Sequence, residues 1–179
     1  MQLVKKHSQD QRRNPDRRRT ALLNKVTVVT ATVFPRLQLN LVAREDFAKG
    51  EVIVFCSFDE IRRERTWRTI QVDYNRHVKH ELLDYVDHSC DPNAVFITED
   101  LTLVALKSIC AGERITFFYP GAEVELAQDF ICTCGSSACL GHLKGGFYLT
   151  SEQMRWAIDK GYCTSFIKEQ FIRLLGRSD

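Results

Sequence analysis

The chain has 179 residues, 44% of them hydrophobic, and a formal net charge of +2. This length and composition fit one domain with a sizeable core, and the near-neutral charge excludes a nucleic-acid binder that uses its whole surface. No apolar run approaches the ~20 residues that cross a bilayer, and no signal-peptide segment opens the chain. We therefore expect no membrane partner and an intracellular location, in cytoplasm or nucleus, where the 7 cysteines stay reduced.

The N-terminal segment, residues 1–22, differs in composition from the rest of the chain. It contains few large apolar side chains, and its basic residues are Lys5, Lys6, Arg12, Arg13, Arg17, Arg18 and Arg19. Such a composition is typical of a flexible arm. Binding of an acidic partner or of nucleic acid through this arm is the alternative interpretation.

Short strands are predicted through the first half of the chain. Alternating apolar residues or runs of β-branched residues predict strands at residues 25–34, 37–43, 51–58 and 69–72. Residues 59–68 are charged, carry Trp67 and are interpreted as a surface connection. Residues 75–86 are interpreted as a brief helix or an extended link.

The second half continues with strands and ends in helices. A hairpin pattern joins residues 94–97 to residues 101–106, and residues 115–119 predict another strand. The tail predicts one helix over residues 151–158, capped by Ser151 and stopped at Gly161, and a second helix that begins at Thr164 or Ser165 and ends at Gly176. The whole pattern predicts a mainly β (β+α) chain of small curved sheets with C-terminal helices.

Two polar blocks interrupt the strands. Residues 84–94 mix acids, a histidine, a thiol and a proline, and we predict a loop because Pro92 lacks a backbone donor and disfavours helix before it. Within this loop, Asn93 is expected to hold the backbone through side-chain hydrogen bonds. The second block, residues 112–119, reads GERITFFY.

A third block, residues 130–141, contains Cys132, Cys134 and Cys139. Three thiols so close together in a reducing compartment favour a metal site over disulfides. Structural zinc takes four ligands, and the local sequence leaves either His142 or a distant cysteine as the fourth. The remaining cysteines, which are expected in core or surface positions, are Cys56, Cys110 and Cys163.

In this order, the three blocks resemble the SET-domain family of protein lysine methyltransferases. The first is similar to the family's Asn-His-Ser-Cys-x-Pro-Asn signature, the second to the block with its active-site tyrosine, and the third to its cysteine-rich post-SET tail. The resemblance covers residues 36–148. It implies a SET-domain fold with a zinc-stapled tail, divided into an arm at residues 1–22, a SET domain at 23–128, a post-SET zinc segment at 129–148 and a helical tail at 149–179.

The resemblance also implies cofactors and site residues. The expected reaction transfers a methyl group from S-adenosyl-L-methionine to a lysine side chain of a protein or peptide, which is the expected partner. The implied zinc ligands are Cys90, Cys132, Cys134 and Cys139. The implied catalytic residues are Tyr119 and Tyr85. The implied cofactor-binding residues are Leu39, Asn40, Leu41, Asp87, His88, Tyr119, Phe130 and Cys132.

The chemistry of this reaction favours an apolar channel, because the attacking lysine amine must be neutral and burial disfavours its charged form. A tyrosine with a pKa near ~10 is a poor base at pH 7, so Tyr119 is expected to orient the amine. The candidates for an aromatic wall are Phe117, Phe118, Tyr119, Tyr85, Phe130 and Phe147. Glu123 and Glu125 are interpreted as solvated charges that could meet a cationic substrate.

Two features depart from the family pattern. The glycines that many SET domains place beside the cofactor correspond to Gln38 and Asn40, and Asp87 replaces the signature asparagine. An ionised carboxylate only accepts hydrogen bonds, whereas an amide also donates them. These departures support the alternative function, a non-catalytic zinc-containing interaction module derived from a SET domain.

Overall fold

The computed structural model describes residues 24–33, 36–56 and 60–177. Within them the chain forms short strands and two α-helices, as the sequence predicted. The strands are β1 (Val26–Val33), β2 (Arg36–Ala43), β3 (Val52–Phe55), β4 (Glu60–Arg62), β5 (Ile70–Asp73), β6 (Arg76–Lys79), β7 (Asp87–His88), β8 (Ala94–Ile97), β9 (Thr102–Ala105), β10 (Thr116–Phe117), β11 (Phe130–Ile131) and β12 (His142–Leu143). The helices are α1 (Ser151–Asp159) and α2 (Ser165–Leu175). The predicted basic arm lies outside the described residues.

Strands β1 and β2 form an antiparallel hairpin in which Val26 pairs with Ala43 and Val29 pairs with Asn40. Strand β2 of this hairpin lies against the block at residues 112–119, where the backbone N–H of Ile115 donates to the carbonyl of Leu41 at 2.8 Å. The hairpin confirms two predicted strands and brings β2 next to the block that contains Tyr119.

Two three-stranded sheets follow, in the orders β3-β9-β8 and β4-β6-β5. The β8–β9 hairpin confirms the predicted pairing of residues 94–97 with residues 101–106. The prediction of a plain surface connection at residues 59–68 is wrong in part, since Glu60–Arg62 pairs with β6. Residues 75–86, which were interpreted as a brief helix or an extended link, contain strand β6 and a 3-10 turn at Leu83–Tyr85. The strand was not predicted because charged residues in so short a strand hide its periodicity.

The structure confirms the predicted ends of both tail helices except for the N-cap of the first helix. Helix α1 is capped by Thr150 rather than Ser151: the Thr150 hydroxyl accepts from the backbone N–H of Gln153, and the Gln153 side chain accepts from that of Thr150. This reciprocal pair satisfies two backbone donors at once, which a cap at Ser151 could not do. Helix α2 begins after Thr164 and ends at Gly176, as predicted.

Two hydrophobic cores hold these elements together. The first lies between the sheets and includes the fully buried Leu41, Ile53 and Leu103. The second joins residues from all three blocks to the tail, and its members include Cys90, Phe118, Cys132, Leu143, Met154, Ala157, Ile167 and Phe171. The tail therefore packs directly on the loop and on the cysteine segment. Neither helix of 9 and 11 residues could cross a bilayer, and among the described residues no other helix could.

Candidate active site and candidate metal centre

The polar loop and the tyrosine block lie side by side. Strands β7 and β10 are parallel, with Asp87 opposite Thr116 and His88 opposite Phe117. Asn93 fastens the loop, because its side-chain nitrogen donates to the Arg114 carbonyl at 2.8 Å and its side-chain oxygen accepts from the Thr116 N–H at 2.8 Å. The predicted role of Asn93 in holding this backbone is confirmed.

His88 is buried between the two blocks and contacts both. Its Nδ1 accepts from the backbone N–H of Tyr119 at 3.2 Å, and its Nε2 lies 3.3 Å from the Cys90 sulfur. Burial lowers the pKa of His88 to about 4, so the imidazole is neutral at pH 7. Because Nδ1 accepts, Nε2 carries the proton and donates to the Cys90 sulfur. One imidazole thus links the tyrosine block to the cysteine cluster.

Tyr119 begins a 3-10 turn at the end of β10, and its hydroxyl donates to the Val86 carbonyl at 3.0 Å. Its ring lies 4.7 Å from that of Phe117 and 6.0 Å from that of Phe130, measured between centroids. Burial, assisted by the negative charge of Asp87, raises the pKa of Tyr119 well above its ordinary value of 10.0. The phenol is therefore neutral at pH 7 and cannot act as a base.

A cavity of about 620 Å³ opens beside Tyr119. Its walls come from residues 66–70, from the 3-10 turn at Leu83–Tyr85 and from residues between 126 and 130. Four predicted site residues line it, namely Leu39, Tyr85, Tyr119 and Phe130. Trp67, which is 68% exposed, lies in its wall with the Arg68 guanidinium 4.3 Å from the indole ring.

The predicted aromatic wall is only partly present. Phe117, Tyr85, Tyr119 and Phe130 line the cavity, but Phe118 points into the second core, where its ring lies 5.6 Å from that of Trp156. Strand alternation explains this difference, because neighbouring residues of an extended chain face opposite sides. Phe147 is exposed and is not part of the cavity lining.

The predicted cofactor residues on β2 and β7 lie near the cavity rather than all within it. Leu41 is fully buried in the first core, and Asp87 is held by the Arg114 guanidinium at 3.5 Å. Asn40 is also fully buried, but neither its side-chain nitrogen nor its oxygen has a hydrogen-bond partner among the described residues. A buried amide without hydrogen bonds lowers the stability of the protein. Such a group calls for an explanation, and a bound ligand that supplies its partners is one.

Glu123 was interpreted as a solvated charge, and this interpretation is wrong. Its side chain is 8% exposed, lines the cavity and lies 3.6 Å from Nδ1 of His77. Burial raises the pKa of Glu123 above its ordinary value. Glu125 is the exposed one of the two and pairs with Arg65 at 2.8 Å. No local pattern separates these glutamates, because the burial of Glu123 depends on β6 from a distant part of the chain.

The four predicted zinc ligands lie together. The sulfurs of Cys90, Cys132, Cys134 and Cys139 are all within 4.8 Å of one another. A zinc tetrahedron with Zn–S bonds of ~2.3 Å places its sulfurs ~3.8 Å apart, so a small inward shift would bring all four to one ion. The donor set therefore fits zinc. Burial raises the pKa of the Cys90 thiol to about 11, and a bound cation would reverse this effect by favouring the thiolate.

His142 lies apart from this cluster. Its Nε2 is 2.7 Å from a carboxylate oxygen of Asp129, and in the part of the chain that the structure describes the metal-binding group contains only cysteines. Of the other cysteines, Cys56 is buried and Cys110 is exposed. The backbone N–H of Leu140 donates to the Cys90 sulfur at 3.4 Å, a bond that suits a thiolate ligand.

Residues 38–120 match the family model of the SET domain. The methyltransferase flvH of Aspergillus flavus is 38% identical over 65 residues, which are 35% of this chain and 36% of that protein. A Plasmodium falciparum protein, provisionally named histone-lysine N-methyltransferase 1, is 39% identical over 67 residues, which are 33% of this chain and 1% of that protein. This chain thus aligns with about a third or less of the length of these relatives.

Among solved structures, the methyltransferase domain of human histone-lysine N-methyltransferase SETMAR is similar, with a TM-score of 0.46 and 16% identity over 60% of this chain and 54% of that one. The matched segment contains both the signature loop and Tyr119. This part of the chain is therefore similar to SET domains.

Proposed function

We propose that the chain is an S-adenosyl-L-methionine-dependent N-methyltransferase that methylates a lysine side chain of a protein or peptide. The cavity beside Tyr119 carries this proposal, because most of its lining belongs to the matched SET segment. Two relatives that align with about a third of this chain are named as methyltransferases, and one of these names specifies lysine.

The cavity suits a neutral amine. Removing the proton from a free lysine at pH 7 costs about 4.6 kcal/mol, since its pKa is about 10.4. The apolar walls that Ile70, Leu83 and Phe117 contribute reduce this cost, because they exclude water and disfavour the ammonium form. The amine then enters the reaction with its lone pair free.

Tyr119 would orient the amine rather than deprotonate it. Its hydroxyl proton is already donated to the Val86 carbonyl, so the oxygen keeps lone pairs that can accept from an amine N–H. The fixed direction of that bond fixes the direction of the acceptor. Holding a nucleophile in one orientation is a substantial part of catalysis in group transfer.

S-adenosyl-L-methionine, when bound, supplies an electrophilic methyl group on a positively charged sulfur. The residues that would hold it are Leu39, Asn40, Leu41, Asp87, His88, Tyr119, Phe130 and Cys132. Asn40 supports this assignment, because neither the NH2 group nor the oxygen of its buried amide has a partner among the described residues. The methionine end of the cofactor has a carboxylate and an ammonium that complement these two groups.

Zinc would be held by Cys90, Cys132, Cys134 and Cys139 and would act structurally, because four protein ligands leave no open position for a reactant. Cys90 belongs to the signature loop and the other three to the post-SET segment, so the ion would fasten that segment beside the active site. Reduced thiols require a reducing compartment, such as cytoplasm or nucleus.

The test is a calorimetric titration of zinc-loaded, folded protein with S-adenosyl-L-methionine, followed by a methyl-transfer assay on lysine-containing peptides. We expect one-to-one binding and transfer, and we expect Tyr119→Phe to bind the cofactor normally while transfer falls by ~100-fold or more. Equal turnover of Tyr119→Phe and the wild type would contradict the role of the hydroxyl.

The second candidate function is a non-catalytic interaction module with a zinc-stapled tail. It is favoured by the replacement of the expected asparagine by Asp87, whose carboxylate pairs with Arg114. Absence of cofactor binding in a folded sample with full zinc content would mean that the cofactor site has decayed and would favour this second function. Transfer to a free amine but to no peptide would instead identify a small-molecule acceptor.

A further inference from the structure

Two carboxylates in the cavity wall lack complete sets of partners. Asp84 has one oxygen 3.5 Å from the Arg68 guanidinium and a second, buried oxygen without a hydrogen-bond partner among the described residues. Neither oxygen of Glu123 has a hydrogen bond of good geometry from a described residue, although the His77 side chain and the Gln71 backbone lie close enough to oppose in part the rise of its pKa on burial. One of these oxygens lies 3.6 Å from Nδ1 of His77, just beyond hydrogen-bond distance.

The two acids differ in how much of their charge is compensated. The guanidinium of Arg68 is always charged, and it covers Asp84 while it stacks on Trp67. For Glu123, the arginine among the described residues that lowers its pKa is Arg65, and this guanidinium is already paired with Glu125 at 2.8 Å. Buried carboxylates normally accept several hydrogen bonds. Glu123 is therefore the cavity residue whose missing hydrogen bonds a ligand would supply.

We propose that the acceptor cavity takes a peptide that carries a second cationic side chain beside the target lysine, and that Glu123 binds this second cation. The inference rests on the proposed function and specifies its substrate class. Charge-assisted hydrogen bonds from a guanidinium or an ammonium would satisfy the two free oxygens of Glu123. Arginine fits best, because its planar fork matches a carboxylate in two parallel bonds.

The second cation is distinct from the amine that is methylated. A carboxylate beside the reacting amine would stabilise its ammonium form and oppose the reaction. The amine therefore belongs with the neutral phenol of Tyr119, and the other cation belongs with Glu123. The cavity volume of about 620 Å³ is that of a site for a drug-sized ligand, so it has room for more than one lysine side chain.

The rim of the cavity fits a peptide rather than a bare diamine. Leu39 is 47% exposed and Trp67 is 68% exposed, and both belong to the lining. Apolar groups at a rim can pack against the aliphatic stems of arginine and lysine, which are long and apolar up to their charged ends. A peptide presents those stems from a backbone outside the cavity, so both cations can enter together.

The experiment uses short peptides with one central lysine and one arginine, placed in turn at each of the three positions before and after the lysine. In a matched set, citrulline replaces the arginine, because it keeps the shape and removes the charge. Peptide binding is measured by fluorescence anisotropy and methyl transfer separately, for the wild type, Glu123→Gln and Glu125→Gln. Glu125→Gln is the control, because this exposed glutamate lies outside the cavity lining.

We expect that, at one arginine position or more, the wild type and Glu125→Gln bind the arginine peptide at least ~10-fold more tightly than its citrulline counterpart, and that this ratio falls to near one in Glu123→Gln. Should Glu123→Gln fail to fold, Glu123→Asp keeps the charge on a shorter side chain and should reduce the ratio without abolishing it. Arginine preference unchanged in Glu123→Gln would overturn the inference.

The two proposals fail in different ways. Methyl transfer at equal rates to arginine and citrulline peptides at every position would overturn the inference and leave the methyltransferase intact. Arginine-dependent binding without any transfer would support Glu123 as the cation receptor and overturn the enzymatic function. Binding of no peptide would overturn the inference directly.

Discussion

His88 makes two contacts that can be separated by substitution. Its Nδ1 accepts from the Tyr119 N–H, and its Nε2 meets the Cys90 sulfur at 3.3 Å. Asparagine places an oxygen close to the position of Nδ1 but does not reach the sulfur, whereas glutamine places an amide N–H near the position of Nε2. His88→Asn should therefore weaken zinc binding, and His88→Gln should disturb Tyr119.

The sizes of both effects follow from the contacts. Loss of a hydrogen bond to a metal ligand typically lowers metal affinity by 10–100-fold, so His88→Asn should lower zinc affinity by about that factor. In His88→Gln the buried Tyr119 N–H has no acceptor, which costs about 1–3 kcal/mol of stability. The zinc affinity of His88→Gln should stay within about threefold of the wild type, since its amide preserves the bond to sulfur.

The assay is competition for zinc with a chromophoric chelator, combined with urea unfolding of each zinc-loaded variant. The matched control is His142→Asn, because this histidine is close in sequence to the cysteines but bonded to Asp129. The control should keep its zinc affinity. A loss of affinity in His142→Asn together with normal affinity in His88→Asn would refute both the ligand set and the linking role of His88.

Two further predictions concern the tail and the acid stability. Cys134→Ser should release zinc and expose the post-SET segment to proteolysis, whereas Cys110→Ser, which changes an exposed thiol outside the cluster, should keep full metal content; normal zinc content in Cys134→Ser would remove the cluster from the proposal. The Lys25 ammonium lies 2.9 Å from the Glu51 carboxylate and lowers the pKa of Glu51 below its ordinary 4.5. The stability that this ion pair contributes is therefore present above pH 4.5 and is lost as the pH falls through the lowered pKa of Glu51 in the folded protein. Glu51→Gln should thus lose less stability between pH 7 and pH 3 than the wild type, by under ~1 kcal/mol because the pair is partly exposed, and identical acid transitions would contradict this assignment.

The three blocks could be interpreted from the sequence because each keeps its chemistry within a few consecutive residues. The loop of residues 84–94, the strand that leads to Tyr119 and the cysteine segment have compositions that few other structures tolerate. Their mutual contacts, such as β7 beside β10, depend on the fold. The resemblance to a family indicated that the three blocks meet in the fold. The composition of each block alone could not predict these contacts.

Residues outside the blocks were harder to place. Strand β6 contains Arg76, His77 and Lys79, so its polarity conceals a strand that is half buried. Glu123 looked solvated because its burial results from packing against His77, 46 residues earlier in the chain. The helix cap shifted from Ser151 to Thr150, because either residue suits the sequence pattern and the reciprocal bond with Gln153 selects one.

Asn40 offers a direct way to decide between an enzyme and a module without catalysis. Among the described residues the two polar groups of its buried amide have no partner, and each such group costs about 1–3 kcal/mol of stability. Leucine has nearly the same shape and no polar atoms, so Asn40→Leu should leave the free protein equally stable or more stable. The control is Asn93→Leu, which breaks the bonds to Arg114 and Thr116 and should destabilise.

If Asn40 binds the polar end of the cofactor, the gain in stability is accompanied by a loss of binding. S-adenosyl-L-methionine at 100 times its dissociation constant should stabilise the wild type by about 2.7 kcal/mol, seen as a rise in the thermal midpoint, and Asn40→Leu should show little of this rise. A ligand-induced shift of full size in Asn40→Leu would show that the amide is not part of the cofactor site. A stabilised variant that has lost the shift would mean that the unsatisfied amide is retained for binding, since stability alone favours its removal.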